Sequence, residues 1–107
     1  MAWVMLLVAG LLEVVWALAL KGSDGLSPRE PATLVFVVAA ALSFWLLAGA
    51  LRHLPVGTAY AVWTGIGAVG AAIAGVILLG EPATASRLAA IGVIAAGIAW
   101  LAAVSHA

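Results

Sequence analysis

The sequence predicts an all-α integral membrane protein with four transmembrane helices per subunit. Three observations predict it. Of the 107 residues, 67% are hydrophobic and only 7% are charged, against about 45–50% and about 25% in soluble domains. The apolar residues fall into four runs, each near the roughly 20 helical residues that cross a bilayer core of about 30 Å. Seven of the eight charged side chains collect between those runs, and Glu13 is the exception. No stretch remains for a separate soluble domain, so residues 1–107 read as one transmembrane domain.

The first run covers about 2–20. Ala17-Leu18-Ala19 fits a small-x-small cleavage pattern. The run is nevertheless expected to stay, because no Lys or Arg precedes it and Glu13 interrupts it. The second run covers about 33–51, the third about 56–79 and the fourth about 88–104. Backbone polar groups in lipid must be satisfied within each span, which makes helix the only plausible state.

The connectors carry turn chemistry. "KGSDGLSPREP" holds Gly22, Gly25, Pro28 and Pro31. "RHLP", from Arg52 to Pro55, is a tight turn that predicts antiparallel neighbours in helices two and three. In "GEPATASR", Gly80 suits a helix C-cap, and Thr84 or Ser86 suits an N-cap.

Composition also excludes function classes. There is no cysteine, so no disulfide framework, thiolate metal site or thiol redox chemistry, and no metal site is expected. Formal net charge is zero, which leaves no basic surface for nucleic acid. Lys21, Arg29 and Arg87 fall on one membrane face, with Arg52 and the N-terminal amine on the other. The positive-inside rule needs a clearer excess than this, so orientation is weakly specified and both topologies are physically reasonable.

Glu13 is the residue that carries chemistry. A charge at the centre of a membrane helix costs roughly 2.5–3.5 kcal/mol on insertion scales. The cost falls if the carboxyl stays protonated, or if it faces a wet cavity or a bound cation. Either makes Glu13 a proton or cation site. A hydrogen bond between helices is the plainer reading, but Asn or Gln would serve that purpose without ionising. At about 100° per residue, Ala9, Gly10, Trp16, Ala17 and Leu20 share its face. Trp16 reads equally well as an interfacial belt residue before Lys21.

Other interior polar groups are few. Ser43 is the one hydroxyl inside the second helix, and Tyr60, Trp63 and Thr64 lie early in the third. Tyr60 also fits a belt, as do Trp3 and Trp100. Small residues crowd helices three and four. Gly67, Ala71 and Gly75 recur every fourth residue. Gly65 and Gly67 lower the cost of a bend. Ala90 and Gly97 share a face of helix four that suits either a dimer contact or packing within one bundle. Four helices enclose little volume, so a homodimer would supply a cavity and two Glu13 carboxylates. Weak topology signals allow that dimer to be antiparallel, an inverted repeat made from two copies.

The stretches "GLLEVVWALALK" and "LPVGTAYAVWTGIGAVGAAIAG", with Ser43 between them, resemble the small multidrug resistance family, most closely its guanidinium-exporter subtype. The resemblance covers essentially the whole chain. It implies an antiparallel homodimer in the bacterial inner membrane, surrounded by lipid, that exchanges protons for guanidinium-like small cations. No cofactor is implied beyond protons as coupling ion. Glu13 matches the shared proton and substrate carboxylate. Trp16, Ser43, Tyr60 and Trp63 match groups that line the site and hydrogen-bond around that carboxylate, and Gly10 matches a small residue of the same wall. Gly65 to Gly67 matches the bend that differs between subunits, and the small face of helix four, with Ala90 and Gly97, matches the dimer contact. Gly22 and Pro28 depart from the family pattern in the first connector.

The expected function is a proton-coupled antiporter for guanidinium and small guanidinyl cations, with no enzymatic step. The nearest alternative is a broad exporter of quaternary ammonium cations, which would rely on aromatic faces. A helical assembly subunit would tolerate Glu13→Gln. A small channel would conduct without a proton gradient.

Overall fold

The computed structural model describes residues 1–105 and shows four helices among them. They are α1 (Ala2–Gly22), α2 (Pro31–Leu51), α3 (Val56–Leu79) and α4 (Ala85–Val104). All four are long and apolar enough to cross a membrane.

Local chemistry sets the ends. α2 begins at Pro31, ahead of the purely apolar run, because the fixed φ of proline suits the first helical position. α3 ends on Gly80, which takes the left-handed conformation (φ 67°, ψ 24°), and the next amide, of Glu81, bonds back to the Gly75 carbonyl at 3.1 Å. Thr84 caps α4 by accepting from the Arg87 amide at 3.2 Å, which places Ser86 inside the helix rather than at its cap. In the first connector Ser23 is fully buried. Its hydroxyl donates to the Leu20 carbonyl at 2.7 Å and accepts from the Leu26 amide at 2.9 Å.

α1 lies between α2 and α3 and packs on both. The tight turn suggests α2 and α3 as close neighbours, but they make only minor contact with each other. The physical reason is α1, whose buried Ala9 and Gly10 admit a helix on either side. α4 packs on α3 alone and has no buried residue. The helix order across the molecule is therefore α2, α1, α3, α4.

The Cα extents are 44 × 35 × 16 Å. The short dimension is under half the longest, so the four helices form a flattened layer rather than a round bundle. The core is small and sits toward one end of that layer, built on Leu6, Ala9, Leu47, Ala50, Leu54, Ala59, Val62 and Trp63. Exposed Leu7, Leu11, Val38 and Leu42 suit a lipid surround rather than water.

Candidate functional site

Glu13 lies near the midpoint of α1 and is half-buried. Its Oε1 is shielded from solvent and has no hydrogen-bond partner among the described residues. The same holds for the indole nitrogen of Trp16, one turn further on. A buried polar group without a partner costs about 1–3 kcal/mol. An acceptor and a donor left free on one helix face are a costly arrangement for a purely structural helix.

α1 reaches α3 through three close approaches. A Cβ on Gly10 would collide with the Ile66 side chain, one on Gly67 with the Glu13 side chain, and one on Gly70 with Val14. The two helices therefore interlock, with Ile66 over Gly10, Glu13 over Gly67 and Val14 over Gly70. At Gly10 and Gly70 the missing atom lets the backbones close on an aliphatic side chain, and at Gly67 it leaves room for the Glu13 carboxyl.

α2 is tied in through a polar chain. Trp63 of α3 donates its indole N–H to the Ser43 hydroxyl at 3.0 Å. Ser43 in turn donates to the Ala9 carbonyl at 2.7 Å. That carbonyl is also the one that helix geometry offers to the Glu13 amide. Ser43 has a single proton to give, and it goes to Ala9 rather than to the Glu13 carboxyl. The link between Ser43 and Glu13 thus runs through the α1 backbone.

Aromatic rings form a continuous wall. Trp16 meets Phe36 edge-on at 5.8 Å and stacks on Phe44 at 6.4 Å. Phe44 tilts against Trp63 at 5.3 Å, and Trp63 against Tyr60 at 5.5 Å. Trp16, which spacing alone leaves between belt and site, sits half-buried among these rings. Tyr60 stands at the margin, 56% exposed.

The remaining sequence candidates divide. Gly65 and Gly67 face different neighbours, since a Cβ on Gly65 would meet Ile98 of α4. α3 runs unbroken through both. Thr64 lies with Tyr60, Gly65 and Gly97 along an apolar groove of about 500 Å³ between α3 and α4. It therefore faces away from the hydrogen-bonded chain. Ala90 is exposed on α4, and so is Gly97.

The family model described as Small Multidrug Resistance protein matches residues 1–94. The chain belongs to the small multidrug resistance family. Several small multidrug resistance relatives are named guanidinium exporter. One from Yersinia pseudotuberculosis is 56% identical over 101 residues, covering 94% of this chain and 96% of the relative. One from Salmonella typhimurium is 54% identical over 106 residues, covering 99% and 100%. One from Citrobacter freundii is 54% identical with the same coverage. Family membership and four spanning helices make the chain a multi-pass inner-membrane protein.

Sequence reasoning missed three members of this candidate site. Phe36 and Phe44 complete the aromatic wall, and Ile66 fills the recess at Gly10. A signal for Phe36 was present, since it lies seven residues before Ser43 and hence on the same helix face. Ile66 had none, because its role depends on which helix α3 touches.

Proposed function

We propose that this chain is a proton-coupled exporter of guanidinium and small guanidinyl cations. The observation that carries the reading is the half-buried Glu13 in the middle of a spanning helix, with its shielded Oε1 unpartnered among the described residues. The names of the relatives support it.

A planar guanidinium offers paired N–H donors that match the two oxygens of a carboxylate, and such charge-assisted pairs are short and strong. A proton needs the same oxygens. Cation and proton therefore exclude each other at Glu13, and that exclusion couples their movements. Protonation on one side releases the cation, and deprotonation on the other reloads the site. No covalent bond changes, so no enzymatic step is involved.

The other residues serve this exchange. Trp63 and Ser43 fix α3 and α2 against the turn of α1 that holds Glu13. Trp16 and Tyr60 flank the cation path with aromatic surface, and Gly10 lets α3 come close. Gly65 and Gly67 absorb the bend between inward-facing and outward-facing forms. The functional unit is an antiparallel homodimer in lipid, with Ala90 and Gly97 on the α4 contact. The half-buried position of Glu13 in a single copy supports this, because a second copy would close the path over it.

A second reading, export of quaternary ammonium cations, draws on the wall of Phe36, Trp16, Phe44, Trp63 and Tyr60. Such cations have no N–H to donate and would bind to ring faces. Purified protein in liposomes separates the two. An inward guanidinium gradient should drive protons outward, tetramethylammonium should do so weakly, and Glu13→Gln should abolish the coupled flux. Uncoupled guanidinium movement, or full activity of Glu13→Gln, would defeat the proposal.

A further inference from the structure

We propose that Gly67 is a positioning residue for the Glu13 carboxyl: its missing side chain is the recess that seats the carboxyl against α3. The inference rests on the reading of Glu13 as the cation and proton site, and adds a role for Gly67 distinct from helix bending.

The geometry separates Gly67 from its neighbours. A Cβ built on Gly67 would overlap the Oε1, Cδ and Cγ of Glu13. The same addition at Gly70 would meet the side chain of Val14, and at Gly65 that of Ile98. All three glycines permit close packing, but only Gly67 does so under an ionisable group. The oxygen in contact is also the one with no hydrogen-bond partner among the described residues. The recess therefore fixes where Oε1 lies without supplying a donor that would compete with a cation.

What must yield on substitution differs as well. At Gly10 an added methyl meets the branched Cβ of Ile66, close to backbone. At Gly67 it meets mainly the far end of a flexible side chain. Rotating the Glu13 side chain away is easier than separating two helices that are locked above and below. Gly67→Ala should therefore keep the fold and move the carboxyl. The effect falls on binding rather than on assembly.

A double-mutant cycle tests this with the full-length protein in detergent micelles. Guanidinium binding is read by isothermal titration at a pH where wild type binds. Gly67→Ala should weaken binding about tenfold, the scale of coupling between groups in contact. Glu13→Asp shortens the side chain by one methylene and withdraws the atoms that collide most closely. In that background the same Gly67→Ala change should cost no more than about threefold. Gly70→Ala is the control: it shares the interface but not the carboxyl, and its cost should be the same in both backgrounds.

Infrared difference spectra keep the test decisive if Glu13→Asp alone binds too weakly to titrate. The protonated carboxyl C=O band should shift in Gly67→Ala and stay in place in Gly70→Ala. Equal costs of Gly67→Ala in both backgrounds, or an unmoved band, would overturn the positioning role. Wild type failing to bind guanidinium would instead overturn the cation assignment itself.

Discussion

The indole N–H of Trp63 donates to the Ser43 hydroxyl at 3.0 Å, and both side chains are buried. One bond thus joins α3 to α2, and the onward bond from Ser43 to the Ala9 carbonyl at 2.7 Å joins both to α1. Three helices meet at one hydroxyl, at the level of the turn that leads into Glu13.

Removing the hydroxyl and its donor together should cost less than the two separate losses added. Ser43→Ala leaves the Trp63 N–H buried without an acceptor, a loss of about 1–3 kcal/mol. Trp63→Phe removes the donor but also packing area. With both changes present no orphan donor remains, so the double variant should lose less than the sum of the two. Thermal unfolding in detergent measures all three. Strict additivity would show that the bond carries no coupling.

Much of this was legible in the sequence, and the reason is the lipid. Backbone satisfaction and span length leave one state for an apolar run of about 20 residues, so four helices follow from composition alone. Glu13 is legible for the same reason, since an acid is conspicuous where nothing else is charged. Helix ends were readable where they depend on local chemistry, as at Gly80 and Thr84. What sequence could not supply is adjacency. A tight turn pointed to α2 beside α3, but α1 lies between them. Thr64 is one of the few interior polar groups, yet its helix face turns toward α4. Ser43 was visible as a rare hydroxyl, while its acceptor, a backbone carbonyl on another helix, has no signature in side-chain identity.

Gly10 offers the contrasting prediction to Gly67. Its added methyl would strike the Cβ and Cγ2 of Ile66, which cannot rotate clear together. Gly10→Ala should therefore push α1 from α3 and cost about 1–3 kcal/mol, the usual range for overpacking. Ile66→Ala should restore part of that loss by removing the γ-methyl, and unfolding midpoints of the single and double variants decide it. No recovery in the double variant would place the strain elsewhere.

Orientation is a separate, cellular prediction. Lys21, Arg29 and Arg87 lie at one end of the helix layer and Arg52 at the other, a slender difference for the positive-inside rule. Reporter tags at the C-terminus should therefore signal from both sides of the membrane. Adding two lysines to the Arg52 turn, or instead to the connector that holds Arg29, should drive the population toward opposite single orientations. Each biased form alone should transport poorly, and co-expression should restore activity. A wild-type tag seen on one side only would exclude an antiparallel dimer from one gene.

Proton competition predicts how binding depends on pH. Guanidinium pairs with the ionised carboxylate of Glu13, and the proton occupies the same oxygens. Binding must then weaken as pH falls. Once the carboxyl is mostly protonated, linkage sets the slope: apparent affinity drops about tenfold per pH unit for each proton displaced. One carboxylate per cation gives a slope near one, and a pair of Glu13 carboxylates in a dimer gives a slope approaching two. The same linkage requires guanidinium to release protons on binding, which a weakly buffered titration counts directly. Glu13→Gln should lose both the slope and the proton release. Affinity that stays level as the pH is lowered would mean that the cation binds elsewhere, on the aromatic wall rather than on Glu13.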